Sequence, residues 1–257
     1  MAEQTNWFTR LFGTKRPRPQ IPEGVCVYAI GDIHGRHDLM QVLLEKIWAD
    51  AEAQACQRNM LIFLGDYVDR GPASKQVIDH LIQLSRPGWD IVKLIGNHEY
   101  SVLEYLKNPE IYPSWRAYGG AETLLSYGVK PPMFSDAKEI GRAHQEFITK
   151  FPREHFVFLS GLPYSHEIGG YFFAHAGIRP GIPLDEQVAE DLLWIRDDFL
   201  ISDQYFGKVI VHGHTPAEKP VIRSNRIGVD TGAYATGHLT AVKLIEDRYT
   251  FLSTSDM

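Results

Sequence analysis

Six side chains able to bind a divalent cation close short apolar runs of this chain: Asp32, His34, Asp66, Asn97, His175 and His214. The runs are VCVYAI (25–30), MLIFLG (60–65), WDIVKLIG (89–96), GGYFFA (169–174) and KVIVHG (208–213). Oxygen and imidazole donors without a thiolate suit Mn, Fe, Co or Zn rather than Cu(I), and six donors exceed what one tetrahedral ion uses. Two ions sharing one carboxylate account for the set. Ions ~3.5 to 4 Å apart acidify a shared water and clamp the oxygens of a transferred phosphoryl group, so the donor set points to phosphoester hydrolysis. The phosphate also calls for planar cationic forks, and Arg70 and Arg196 are placed to supply them. His98, next to Asn97, is a proton donor for a leaving alkoxide, with Asp69 orienting it.

Other polar residues have plainer readings. His212 is read as a structural imidazole, and His37, His80, His144, His155, His166 and His238 as surface or internally bonded histidines. Arg36 is a helix-start arginine. Tyr234 faces either the cleft or the core. Asp230-Thr231-Gly232 has no partner triplet and is not an aspartic-protease site.

The elements that must position these residues follow from their spacing. Asp32, Asp66 and Asn97 lie 34 and 31 positions apart, the length of one βα unit. Three such units predict adjacent parallel strands whose loops emerge on one sheet edge. The pattern predicts a helix from 37 to about 55 and another starting near Pro72. Residues 100–155 read as helical and irregular near the site, with Tyr100, Trp115, Tyr118 and Gly119-Gly120. After His214, the runs VIRSNRIGVD, HLTAVKLIED and RYTFLST predict a second sheet facing the first. The fold class is α/β, a β-sandwich of two sheets flanked by helices.

Residues 1–24, with Arg10, Lys15, Arg16, Arg18 and Pro17, Pro19 and Pro22, form a basic, proline-containing arm, and 25–257 the catalytic domain. Trp7, Phe8, Leu11 and Phe12 have helical spacing, so residues 7–18 are a site for weak membrane or partner docking. Over 257 residues, 44% hydrophobic and 23% charged content excludes a disordered, collagenous or coiled-coil chain. A net charge of −6 excludes a broad nucleic-acid-binding face. Only two cysteines, no bilayer-length apolar run and no secretion signal place the chain in the cytoplasm.

Five motifs stand in a familiar order: GDIHG (31–35), GDYVDRG (65–71), GNHE (96–99), HAG (175–177) and HGHT (212–215). From about 25 to 245 the chain resembles the calcineurin-like metallophosphoesterases, in particular the serine/threonine phosphoprotein phosphatase branch in its short bacterial and phage form. The resemblance implies that fold with two mixed sheets. It also implies a first ion on Asp32 and His34, a bridging Asp66, and a second ion completed by Asn97, His175 and His214. His98 and Asp69 match the proton-donor pair, and Arg70 and Arg196 the phosphate-holding arginines. Pro216 replaces the second histidine of the Gly-His-x-His motif of wider relatives, leaving the first ion three protein ligands. The implied cofactor is a pair of divalent ions, Mn2+ first, with Fe, Zn or Co as alternatives. The implied substrate is a phosphoprotein or phosphopeptide, attacked in line by a metal-bridging hydroxide without a phosphoenzyme. Alternatives are phosphotyrosine preference, a silent docking protein, and hydrolysis of diadenosine tetraphosphate or other dinucleoside polyphosphates. Enzymes of that last kind share HAG but commonly lack the counterpart of Asp69 and read GNHD.

Overall fold

A computed structural model describes residues 19–54, 56–133 and 136–255, so the expected docking stretch 7–18 lies outside the described residues. In chain order the strands are β1 (Val25–Ile30), β2 (Arg58–Phe63), β3 (Trp89–Lys93), β4 (Ser165–Ile168), β5 (Tyr171–Ala174), β6 (Val209–His212), β7 (Val221–Ile222), β8 (Arg226–Gly228), β9 (Thr240–Ile245) and β10 (Arg248–Ser253). They form two five-stranded sheets, ordered β10-β9-β1-β2-β3 and β4-β5-β6-β8-β7. Both are mixed. β1, β2 and β3 pair in parallel, as their spacing predicts, while β9 lies antiparallel on β1.

Every residue of β1 is buried, which explains its unbroken apolar run. Successive side chains still serve opposite faces. Val25, Val27 and Ala29 point between the sheets with Met60, Ile62, Tyr171, Phe173 and Val211. Cys26, Tyr28 and Ile30 point outward under the helices, with Leu43, Ile47 and Val77. Those helices are the crossovers His37–Glu52 and Ser74–Gln83. Beyond β3 come the helices Asn97–Lys107, Tyr112–Ala117, Gly120–Ser126, Ala137–Lys150 and Arg153–Ser160, which make up the expected helical segment.

Two expectations need adjustment. HLTAVKLI and RYTFLS do not join the facing sheet: as β9 and β10 they complete the first one, pairing Cys26 with Ile245 and Ile30 with Ala241. Val242 and Leu244 alternate into the inter-sheet core there, a periodicity that either sheet satisfies. Only β7 and β8 extend the second sheet. The packed chain also starts earlier than residue 25, because Ile21 is 2% exposed and its N–H donates to the Glu246 carbonyl at 2.8 Å. No helix among the described residues is long and apolar enough to cross a membrane.

Candidate functional site

The loops after β1, β2, β3, β5 and β6 meet on one edge of the sandwich, and their backbones are bent there. Apart from glycine, positive φ occurs among the described residues at His34 (46°), Asp66 (55°), Asp69 (70°), Arg70 (67°), His214 (64°) and Glu246 (51°). Five of these six are residues singled out from the sequence. Left-handed geometry at a residue with a Cβ costs on the order of 1–3 kcal/mol and persists where surrounding contacts over-determine it.

Glu99 supplies many of those contacts. Its fully buried carboxylate accepts from the N–H groups of Asp66 (2.8 Å), Tyr67 (2.7 Å), Val68 (3.2 Å) and Gly96 (2.9 Å). It thus ties the second loop to the start of the helix Asn97–Lys107. Burial, aided by the Asp66 charge, pushes its pKa up to about 7. Gly96 is glycine because a Cβ would stand 2.2 Å from Asp66 Oδ1 and 2.4 Å from Asp66 N. Sequence reasoning gave Glu99 no role. An acidic residue three places after a helix-starting glycine was the available signal.

The six donor side chains converge, none more than 5% exposed. Asp66 stands between two groups, its Oδ2 lying 3.6 Å from His34 Nε2 and 3.4 Å from His175 Nε2. Asp32 Oδ2 is 4.0 Å from His34 Nε2, and both Asp32 oxygens accept from the His214 N–H, at 3.1 and 3.0 Å. On the other side Asn97 Oδ1 is 2.8 Å from His175 Nε2 and 2.9 Å from His214 Nδ1.

The chemistry of this donor set fits cations. His34 Nδ1 donates to the Val68 carbonyl at 2.9 Å, and His175 Nδ1 to the Leu64 carbonyl at 3.0 Å. These bonds place a proton on Nδ1 of each ring and leave Nε2 as the nitrogen that turns inward to ligate. His175 Nε2 then faces the amide oxygen of Asn97, two acceptors at 2.8 Å, an arrangement that a shared cation satisfies. Burial depresses His34 to about 3 and His214 to about 2, keeping both neutral and able to ligate. Asp32 is raised by burial and by its neighbours Asp230 and Asp66.

His98 and Asp69 sit beside the Asp66 group. His98 Nδ1 donates to Asp69 Oδ2 at 2.6 Å, and Nε2 faces the cleft, 3.7 Å from Asp66 Oδ2. Asp69 is fully buried and also accepts from Trp115 Nε1 (2.8 Å), a residue expected beside the site, and from Thr123 Oγ1 (2.5 Å), which had no expected role. Burial lowers the His98 pKa, yet Asp66 and the Asp69 hydrogen bond more than offset it, and the net shift is upward.

Arg70 reaches over the group, with Nη1 3.0 Å from His34 Nε2 and Nη2 3.3 Å from His98 Nε2. Its guanidinium lies 4.6 Å from the ring centre of Tyr234, and its Nε donates to the Tyr118 carbonyl at 3.4 Å. Tyr234 is therefore a rim residue of the cleft. Arg196 is exposed at the opposite rim, where Nη1 lies 3.5 Å from Thr215 Oγ1, next to His214. His212 stays outside the donor group, donating from Nδ1 to the Gly213 carbonyl at 3.0 Å. Arg36 bonds Asp38 and the Ala233 carbonyl.

The calcineurin-like phosphoesterase family model matches residues 27–244. An asymmetrical bis(5'-nucleosyl)-tetraphosphatase, PrpE of Anoxybacillus flavithermus, is 27% identical over 236 residues, covering 84% of this chain and 89% of that one. The fold is similar to that of a candidate diadenosine tetraphosphatase (TM-score 0.60, 19% identity), covering 90% of this chain and 95% of that one. It is also similar to a cold-active protein-tyrosine phosphatase of a psychrophilic Shewanella (TM-score 0.59, 17% identity), covering 92% and 83%.

Proposed function

The chain belongs to the calcineurin-like phosphoesterase family, and we propose that it hydrolyses dinucleoside tetraphosphates at a pair of divalent cations. The observation that carries this reading is the alignment with an asymmetrical tetraphosphatase over 84% of this chain and 89% of that relative. Two exposed tyrosines beside the cleft support it, the Tyr234 ring 4.6 Å from the Arg70 guanidinium and the Tyr118 ring 6.5 Å from that of His98, aromatic surface of the kind on which bases stack.

In this reading Asp32, His34 and Asp66 hold one ion, and Asp66, Asn97, His175 and His214 the other, with Mn2+ assigned first. Bound there, the ions supply Lewis acidity and an activated water. The chain's own residues do the rest. Arg70 and Arg196 grip the phosphate from opposite rims, and the planar forks orient it. Asp69 holds the His98 proton on Nδ1, so that Nε2 presents a second proton to the leaving oxygen. The free thiols Cys26 and Cys56 support a reducing compartment such as the cytoplasm.

The Asp69–His98 pair also favours a second reading, a protein phosphatase. A serine or threonine alkoxide needs a proton to leave, whereas a nucleotide phosphate departs with little help, and the tyrosine phenoxide falls between. Purified, Mn2+-loaded protein offered diadenosine tetraphosphate and a phosphoserine peptide decides between them. Release of ATP and AMP with a kcat/KM above that for the peptide is expected. Faster turnover of the peptide would install the protein phosphatase, and turnover of neither would remove both readings.

A further inference from the structure

Away from the cleft, the two crossover helices meet at a pair of histidines. His37 is the first residue of the helix His37–Glu52, and His80 lies in the last turn of Ser74–Gln83. His37 Nε2 and His80 Nδ1 are 3.1 Å apart, and their ring centres 5.3 Å. Both residues are half-buried and line an open cavity of about 440 Å³ together with Gln76, Asp79, Gln83 and Ser85.

We propose that His37 and His80 form a separate site for a zinc-like divalent cation, which ties the two crossover helices together. Two imidazole nitrogens on one tetrahedral zinc, each at 2.0–2.1 Å, stand about 3.3 Å apart, close to the separation observed here. The contact is one N–H shared between the two facing nitrogens, and moving that proton to the far nitrogen of the ring that carries it frees both facing lone pairs without releasing a proton to solvent. Burial, with lesser contributions from His37 and Lys93, lowers the His80 pKa and keeps that ring neutral. The cavity leaves room for water to complete the coordination, and Gln76, Gln83 and Ser85 offer neutral oxygens beside it. Asp79 is committed elsewhere, to Lys75 at 2.9 Å and His155 at 2.8 Å, so the site draws on nitrogen ligands. Nitrogen donors with water select zinc, copper or nickel over magnesium and calcium. The position gives such an ion leverage, because His37 follows the loop carrying Asp32 and His34, and the helix of His80 follows the loop carrying Asp66, Asp69 and Arg70.

Zinc titration of the full chain, read as equivalents bound by calorimetry and elemental analysis, tests the assignment. The natural protein should bind one more zinc than either His37→Gln or His80→Gln. Both variants should keep Mn2+-supported activity on p-nitrophenyl phosphate within twofold, since neither residue belongs to the cleft. Circular dichroism identifies any variant that fails to fold, and the other then decides. Equal zinc stoichiometry in the natural protein and a folded variant would overturn the proposal and leave an ordinary imidazole hydrogen bond. Binding of the extra zinc by magnesium-loaded protein, with its loss in both variants, would establish it.

Discussion

At the residue scale, the two carboxylates of GDYVDRG have separate consequences. Asp66 lies between both donor groups, so Asp66→Asn should lose bound Mn2+ and turnover together, measured by elemental analysis and steady-state rates. His98→Asn should keep its ions and slow cleavage of an alkyl phosphate by about 10²- to 10⁴-fold, the usual contribution of a positioned proton donor. The effect on p-nitrophenyl phosphate, whose leaving group needs less help, should be smaller. The sign of the pH dependence follows from the raised His98 pKa. Its protonated form is complete at low pH and disappears as pH rises through that raised value, so kcat should fall on the alkaline side, and His98→Asn should abolish this limb. Loss of metal from His98→Asn would refute the assignment. The convergence of the six donor side chains was legible in the sequence because each closes an apolar run. Glu99 was not, since its partners are backbone N–H groups, three of them 31 to 33 positions away, and no side-chain pattern records such bonds.

The elements are a matter of loop against loop. Gly119 has φ 103°, and a Cβ there would stand 2.5 Å from Arg70 N and 2.7 Å from Arg70 Cγ. Its carbonyl also accepts from Arg70 N–H at 3.1 Å. Gly119→Ala should therefore displace Arg70, raising KM for phosphate substrates several-fold while metal content stays at the natural level. An unchanged KM would show that Arg70 does not depend on the turn before the helix Gly120–Ser126. Three parallel βα units could be read from the regular spacing of Asp32, Asp66 and Asn97, because a crossover needs that length. The destination of β9 and β10 could not. Alternation specifies which side chains go inward, but the choice of sheet is made by β1, which offers Cys26 to Ile30 as a complementary edge more than two hundred residues earlier.

For the whole molecule, the cleft is a place where acidic groups are buried close together, Asp32, Asp66 and Asp230 among them. Cations that bind only the folded chain should therefore stabilise it. At a free Mn2+ concentration one hundred times Kd the gain is about 2.7 kcal/mol per independent site. For a chain of this size that corresponds to a rise in Tm of roughly 5 to 11 °C, measurable by scanning calorimetry and reversed by EDTA. No shift on loading would mean that the donor group does not bind the ion. The antiparallel pairing of β9 with β1 reaches further still, into biosynthesis. β1 sits in the middle of its sheet, yet the strand that covers one of its edges ends at Ile245, 219 positions after Cys26. At about 5–20 residues per second, a ribosome needs roughly 10 to 45 s to make that span, and throughout it the emerging β1 has a bare hydrogen-bonding edge. Chaperone protection of the nascent chain should accordingly be needed until β9 has emerged from the ribosome.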